Sequence, residues 1–216
     1  FLADGPKLSR RHESGDDVIA TSRSNTMTPA RRRILIAEFD LYHNIGGGQT
    51  AYRRLIETNP QIEFSYLSHE ESLKAERPAN ASVVPYREVY PVEFARLAHD
   101  LHPPHWIYRD FIEANNIAAC VAGQSFDAIE LADFRQYGSM LRPAMLHHGV
   151  KFGSLVLSMH GRLSNSVRYH WNGQTGDHLT LDVRERLQFR VADLRYGISR
   201  TYLDEWRGYT GLETHY

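Results

Sequence analysis

The most constraining feature of this sequence is an apolar run that leads, through a polar loop, into three consecutive glycines. The run spans residues 34–39, the glycines are Gly46, Gly47 and Gly48, and a helical pattern begins near Gln49. An Ile-rich run of this length is typical of a strand that is buried on both faces of a parallel sheet. Glycines after such a strand let the backbone take positive φ angles and let another group approach it closely.

The first turn of the helix that follows the glycines carries backbone N–H groups without partners inside the helix. Together with the helix dipole, these groups attract an anion, most often a phosphate. We therefore predict that Gly46, Gly47, Gly48 and Gln49 bind a phosphate group. The alternative is a flexible strand-to-helix turn that binds no ligand.

The length of 216 residues allows one large domain, or one domain with an arm. Residues 1–30 are polar and poor in apolar side chains, so we expect an extended or flexible arm there and a domain over residues 31–216. Because the chain does not begin with Met, we also expect a processed or excised piece, or a true start at Met27.

Charge and cysteine content narrow the class of protein. A formal net charge of −1 argues against a dominant nucleic-acid surface, and the aromatic residues are too scattered for a base-stacking platform. The single Cys120 excludes an intrachain disulfide and favours a cytoplasmic setting. No run approaches the ~20 apolar residues of a membrane span. We expect no integral membrane segment, which leaves peripheral contact with a membrane open.

Strand-like and helical patterns alternate along the domain, which is typical of a parallel sheet covered by helices. The strand-like segments are residues 34–39, 62–67, 82–85, 126–131, 154–159 and 194–198. We therefore predict an α/β fold of the Rossmann-like, doubly wound type, with a mainly parallel sheet of about six or seven strands and helices on both faces. Ligands of such sheets bind beyond the carboxyl ends of the strands.

Two expectations concern the C-terminal third of the chain. The polar segment 163–177 contains Asn and Gly and reads as a loop. Residues 179–192 read as an amphipathic helix. The side chains expected to face the core are Leu181, Val183, Leu187 and Val191.

Polar side chains follow two of the predicted strands at their carboxyl ends. Glu130, Asp133, Arg135 and Tyr137 lie at the end of the fourth strand, and His160 ends the fifth. A histidine there can hydrogen-bond a sugar hydroxyl and titrate near neutral pH, which makes His160 the best catalytic candidate. The alternatives are a partly buried histidine bonded to a backbone carbonyl and, for the charged residues, a surface ion-pair cluster.

A dinucleotide site fits the sequence poorly. Gly46–Ala51 matches G-x-G-x-x-A, and Glu70 lies roughly where a ribose-binding acid is expected. However, Asp40–Ile45 separate the strand from the first glycine, whereas the fingerprint follows its strand directly. A Walker loop is absent as well, so a nucleotide-dependent oxidoreductase or epimerase is the weakest of the alternatives.

Metal binding is not expected either, although the chain contains 12 histidines. His147 and His148 are adjacent, so on a helix they point in different directions and do not chelate one ion together. There is no H-E-x-x-H pattern and no Cys/His cluster.

Four segments carry a resemblance to a known family. The sequences ILIAEFDLYHNIGGGQTAYRRL, FDAIELADFRQYG, LVLSMHG and ADLRYGISRTYLDEW, in this order, resemble the N-terminal domain of family 4 glycosyltransferases, which have the GT-B fold. The resemblance covers most of residues 32–206. It implies transfer of a sugar, with retention of configuration, from a nucleotide-sugar to an acceptor, without a metal or a cofactor.

The resemblance also implies roles for individual residues. Gly47, Gly48 and Gln49 would approach the diphosphate of the donor, and His160 would hydrogen-bond the donor sugar and support its oxocarbenium-like character. Residues 133–137, together with Glu130, would lie on the acceptor side, where a carbohydrate or a lipid-linked acceptor binds. Prepositioned N–H groups suit this chemistry because negative charge grows on the leaving phosphate.

The family's donor-binding domain, with its paired glutamates, is expected after residue 216 and is not part of this sequence. The chain is therefore expected to be the acceptor-side half of a glycosyltransferase and to be nearly inactive alone. A domain that kept the fold for binding or assembly, without catalysis, is the main alternative.

Overall fold

A computed structural model describes residues 31–69, 74–90, 105–170 and 177–216. The predicted N-terminal arm lies outside the described residues, as does Glu70.

The centre of the fold is a six-stranded sheet in which every neighbouring pair of strands is parallel. The strands are β1 (Arg33–Phe39), β2 (Glu63–Ser68), β3 (Ala81–Pro85), β4 (Ser125–Ala132), β5 (Lys151–Met159) and β6 (Leu194–Gly197). Their order is β3-β2-β1-β4-β5-β6. This order confirms the predicted Rossmann-like α/β fold and puts the reversal of strand order between β1 and β4.

Six α-helices connect the strands or follow them in the described residues. They are α1 (Gly47–Thr58), α2 (His105–Cys120), α3 (Gly138–His147), α4 (Leu163–His170), α5 (Asp177–Val191) and α6 (Arg200–Thr210). A 3₁₀ turn, Asp133–Arg135, follows β4 directly.

The hydrophobic core consists of two clusters that share β1. Leu35 belongs to a large cluster that includes side chains of α2, α3, α5 and α6, and its neighbour Ile36 belongs to a smaller cluster with Tyr52 and Ile56 of α1. Successive strand residues point to opposite faces, so β1 is buried on both sides. This arrangement explains the nearly continuous apolar run in the sequence.

The prediction of a loop over residues 163–177 is wrong for Leu163–His170, which form α4. The carboxylate of Glu185, on α5, accepts hydrogen bonds from the Ser164 N–H at 3.0 Å and from the Ser164 hydroxyl at 2.6 Å. Glu185 thereby caps the first turn of α4, whose N–H groups have no partner within the helix. The cap comes from a residue distant in sequence, so local composition did not reveal it.

The core-facing side of α5 is also different from the prediction. Val183 is 47% exposed and Leu187 is 37% exposed, whereas Arg184 and Gln188 are buried. Arg184 forms an ion pair with Asp110 of α2, and Gln188 donates a hydrogen bond to the Asp133 carbonyl. The Arg184 guanidinium and Nε2 of Gln188 are thus paired inside the fold, whereas Oε1 of Gln188 is buried without a hydrogen-bond partner among the described residues.

Candidate functional site

The N-terminus of α1 and the end of β5 lie at the same edge of the sheet. The Gly46 carbonyl accepts the N–H of Thr50 at 2.9 Å, which is the first hydrogen bond of the helix. The N–H groups of Gly47, Gly48 and Gln49 precede it, and none of them donates a hydrogen bond to a described residue. Three backbone donors therefore stay available at the positive end of the helix dipole.

None of the three glycines is needed for an unusual backbone conformation, and at Gly48 the absence of a side chain provides space. Gly46 has φ −163°, and Gly47 and Gly48 begin the helix, so none has a positive φ. A Cβ atom on Gly48 would lie 3.1 Å from the Phe134 ring, whereas nothing lies within 4 Å of the corresponding position on Gly47. Gly48 thus lets an aromatic ring approach α1, and Gly47 leaves the helix terminus open.

His160 follows β5 and is held from two sides. Its Nε2 lies 3.0 Å from the Ser158 hydroxyl, and its backbone N–H donates to the Asp133 carboxylate at 3.1 Å. Its ring makes edge contacts with Tyr52 of α1, with centroids 5.7 Å apart, and with Phe134, at 5.9 Å. Burial lowers the pKa of His160 below its ordinary value, so the imidazole is neutral at pH 7.

Asp133 stabilises the loop that carries His160. Besides the His160 N–H, its carboxylate accepts the Gly161 N–H at 3.2 Å and the Tyr202 hydroxyl at 2.8 Å. Asp133 is only 5% exposed, and burial raises its pKa to about 6. The structure thus places this predicted acceptor-side residue behind His160, where it positions the backbone.

Glu130, also predicted on the acceptor side, lies inside the fold. It is 5% exposed and accepts a hydrogen bond from the hydroxyl of Tyr196 on β6. Burial raises the pKa of Glu130 to about 7. A carboxyl group in this position is a buried acid beneath the site and does not present itself to a ligand.

Arg135 and Tyr137, the other two predicted acceptor-side residues, line an open cleft. The Arg135 guanidinium forms an ion pair with Glu38, whose carboxylate is fully buried in β1 and also accepts the Phe39 N–H. The Tyr137 hydroxyl donates to the Ala37 carbonyl at 2.5 Å. Both side chains therefore tie the segment after β4 to β1.

The cleft has a volume of about 530 Å³ and opens at the carboxyl ends of β1, β2 and β3. Its aromatic lining consists of Phe39, Tyr86, Phe134 and Tyr137. Phe134 also contacts His160, so this ring separates the cleft from the end of β5. The rest of the lining is mainly polar or charged and includes Asn44, Glu88 and Glu113, so the cleft can offer a small ligand both aromatic faces and hydrogen-bonding groups.

Sequence reasoning missed two residues that line this cleft, Asp40 and His69. Asp40 follows β1, and His69 follows β2, directly at the carboxyl ends of neighbouring strands. Their Oδ2 and Nδ1 atoms are 2.7 Å apart. The available signal was the position of both residues at strand ends in a predicted parallel sheet, which brings such residues together.

The described residues contain neither a metal site nor a helix that could span a membrane. No cluster of three or more His, Cys, Asp or Glu side chains in this part of the chain has the geometry to hold a metal ion. Within the same residues, no helix combines the length and the apolar character that crossing a membrane requires.

Comparison with known proteins adds no assignment. The chain matches no protein-family model and no curated protein sequence. The fold shown is a Rossmann-like α/β domain, and any activity has to be inferred from the geometry of its carboxyl edge.

Proposed function

We propose that this chain is the acceptor-side half of a glycosyltransferase that moves a sugar from a nucleotide-sugar to an acceptor hydroxyl with retention of configuration. One observation carries the proposal. The free N–H groups of Gly47, Gly48 and Gln49 and the neutral imidazole of His160 share one edge of the sheet, joined through Tyr52.

The N-terminus of α1 supplies the phosphate end of the proposed site. When the bond between the sugar and the diphosphate breaks, negative charge grows on the leaving oxygen atoms. Backbone N–H groups that are already oriented stabilise this charge without reorganising. The open space at Gly47 gives the diphosphate access to these donors, and in this proposal no metal or cofactor is required.

His160 supplies the sugar end of the proposed site. Ser158 engages Nε2, and Nδ1 has no hydrogen-bond partner among the described residues. Nδ1 is therefore available to a hydroxyl group of the donor sugar. A neutral ring suits this role because an imidazolium would repel the positive charge that develops on an oxocarbenium-like sugar.

The acceptor occupies the cleft beside Phe134 in this proposal. Arg135 and Tyr137 line it, whereas Asp133 and Glu130 act from behind by holding His160 and the central strands. The nucleotide itself would be bound by a donor-binding domain that follows residue 216, with paired glutamates. The isolated chain would then bind ligands but turn over very little donor.

The decisive experiment uses the full-length protein, supplied with UDP-glucose, UDP-N-acetylglucosamine and GDP-mannose in turn. We expect release of nucleoside diphosphate from one of these donors, and a loss of roughly 100-fold or more in His160→Ala. His147→Ala, which changes an exposed histidine on α3, is the matched control and should behave as wild type. Equal rates in His160→Ala and wild type would refute the role of His160, and no turnover of any donor would refute glycosyl transfer.

A domain for binding or assembly without catalysis is the second candidate, and one feature favours it. Leu179, Val183 and Leu187 form an exposed apolar stripe along α5. Such a stripe is typical of a surface that contacts another protein. Light scattering on the full-length protein separates the two candidates when it is combined with the donor assay, because only this candidate predicts association without donor turnover.

A further inference from the structure

A buried carboxylate holds an exposed histidine at the mouth of the cleft. The Oδ2 atom of Asp40 lies 2.7 Å from Nδ1 of His69, while the other carboxylate oxygen accepts the Ser68 hydroxyl at 2.8 Å and the His69 N–H at 2.9 Å. Asp40 is 6% exposed and has a φ of 53°, in the left-handed region that asparagine and aspartate tolerate best. The carboxylate is therefore fixed in position by groups of β2 and the residue that follows it.

The ring of His69 is oriented by aromatic neighbours as well. It stacks on Phe39, with centroids 5.3 Å apart and planes inclined by 29°, and it meets Tyr86 edge-on at 5.3 Å. The side chain is nevertheless 55% exposed and lines the cleft. Its orientation is thus set by Asp40 on one side and by two rings on another, while the rest of the imidazole faces open space.

The pairing with Asp40 determines which ring nitrogen is available. An ionised carboxylate only accepts hydrogen bonds, so Nδ1 of His69 carries the hydrogen. In the neutral ring Nε2 is then an acceptor, and among the described residues it has no hydrogen-bond partner. A carboxylate that fixes the tautomer in this way also makes the ring a better acceptor.

Each of the three arginines that line the cleft lies near an acid, and Glu88 adds a further negative charge to the lining. Arg135 is paired with Glu38, and Arg184 is paired with Asp110. Arg109 lies close enough to Asp110 and Glu113 to act on their pKa values. A phosphate or a carboxylate ligand would have to compete with these acids for the arginines. An uncharged ligand rich in hydroxyl groups avoids this competition and can still contact the aromatic faces and hydrogen-bonding groups of the cleft.

We propose that the Asp40–His69 pair binds a hydroxyl group of an uncharged, sugar-like acceptor in this cleft, with Nε2 of His69 accepting the hydrogen bond. The inference that the ligand is the acceptor rests on the proposed function, but the binding of a polyhydroxyl ligand does not. His69 is a binding residue in this role and forms no covalent bond.

A continuous row of contacts connects this position to the proposed donor site. Phe39 contacts His69 at 5.3 Å, and the Arg135 guanidinium lies 5.5 Å from the rings of both Phe39 and Phe134. Phe134 then meets His160 at 5.9 Å. The row follows the ends of β2, β1, β4 and β5 in that spatial order, so an acceptor held at His69 would extend along it toward His160.

The first test is ligand titration of the ¹⁵N-histidine-labelled 216-residue chain, observed by NMR. The probes are methyl α-D-glucopyranoside, methyl α-D-mannopyranoside and myo-inositol, with inorganic phosphate as the anionic comparison. We expect at least one uncharged probe to shift the Nε2 signal of His69 in a saturable manner, while phosphate leaves it unchanged. If no uncharged probe moves this signal, or if phosphate moves it more, the proposal is wrong.

Two variants of the pair and one control variant test whether the bound probe contacts His69. His69→Gln changes an exposed side chain and should weaken binding of the responding probe at least about 10-fold, as expected when one oriented hydrogen bond is lost. Asp40→Asn should give a mixture of His69 tautomers in the ¹⁵N spectrum and a similar loss of affinity. The control is Asp127→Asn. The Asp127 carboxylate accepts the Arg33 N–H at the opposite end of β1, so this variant should bind the probe as wild type does. Unchanged affinity in His69→Gln overturns the proposal.

The second test separates the dyad from the proposed function in the full-length protein. His69→Gln should raise the KM for the acceptor about 10-fold or more, whereas the control Asp127→Asn should leave this KM unchanged. His160→Ala should lower donor hydrolysis itself. If wild type turns over no donor, glycosyl transfer is wrong and the titration alone decides the dyad. If the acceptor KM does not respond to His69→Gln, the dyad is not part of the acceptor site.

Discussion

The rings of Tyr52 and His160 meet edge-on with their centroids 5.7 Å apart, and this contact joins α1 to the end of β5. Tyr52 is 1% exposed, so its ring is packed firmly in the smaller core cluster. The imidazole therefore has a fixed position relative to the glycine-rich N-terminus of α1. A ligand that contacts both would span two segments more than 100 residues apart in the sequence.

Gly47→Ala tests the open N-terminus of α1. Nothing lies within 4 Å of the new Cβ, and alanine favours a helix, so we expect the free energy of unfolding to stay the same or to rise by up to about 1 kcal/mol. Turnover of the donor by the full-length protein should nevertheless fall about 10-fold or more, because the methyl group occupies the approach to the N–H groups.

The matched control for this variant is Gly208→Ala in α6, where the new Cβ also has no neighbour within 4 Å. It should show a similar change in chemical denaturation and unchanged donor turnover. If Gly47→Ala keeps full turnover, the diphosphate does not bind at the start of α1.

Glu130→Gln tests the buried acid between β1 and β5. The pKa of Glu130 is about 7 in the folded chain, above its ordinary value of 4.5, so the protonated form is favoured by folding. The associated stability is fully present below pH 4.5 and is lost as the pH rises through 7. Glutamine cannot ionise and keeps an oxygen for the Tyr196 hydroxyl. The free energy of unfolding of the variant, measured relative to that of wild type, should therefore rise by about 3 kcal/mol between pH 4 and pH 8.

Urea denaturation of both proteins at several pH values measures this difference. Glu213→Gln, which changes an exposed glutamate, should show no such gain. If the free energies of unfolding of Glu130→Gln and wild type differ by the same amount across the pH range, Glu130 does not change its protonation between pH 4 and pH 8 in the folded chain.

Arg135→Ala tests the ion pair that ties the segment after β4 to β1. The variant leaves the fully buried Glu38 carboxylate without its cationic partner. Removing one member of a buried pair costs about 3–5 kcal/mol, because the remaining charge stays in a poorly solvated position. Chemical denaturation at neutral pH should report a loss of this size.

The pair of Arg142 and Asp193 is the comparison, because both of its side chains are partly exposed. Arg142→Ala should cost at most about 1 kcal/mol. Equal losses in the two variants would show that the Glu38–Arg135 pair is solvated like a surface pair.

The orientation of α5 gives a prediction about two neighbouring apolar residues. Leu187 is 37% exposed, whereas Phe189 is fully buried and stacks on Trp206 at 4.7 Å. We expect Leu187→Ser to change the free energy of unfolding by about 0.5 kcal/mol or less, and Phe189→Ala to cost about 3–5 kcal/mol. Thermal or urea denaturation compares them, and a larger loss in Leu187→Ser would mean that the helix is turned the other way.

Local patterns were sufficient to predict the architecture of this protein. Apolar runs separated by helical periods imply parallel strands, and in a parallel sheet the residue after each strand lies at one common edge. The same reasoning places Gly47 and His160 at one edge of the sheet, where the structure has them. It works because the spacing of apolar side chains that is typical of a strand or a helix involves residues close together in the sequence.

Tertiary structure decided which polar groups are buried and with which partners. Arg135 pairs with Glu38 from 97 residues away, His69 with Asp40 from 29, and Arg184 with Asp110 from 74. The Arg184–Asp110 pair lies on the polar face of α5, and this face is buried although the apolar pattern predicted that the opposite face would be. A charged side chain is buried only where a partner offsets its lost hydration, and that partner is brought near by the packing of distant segments.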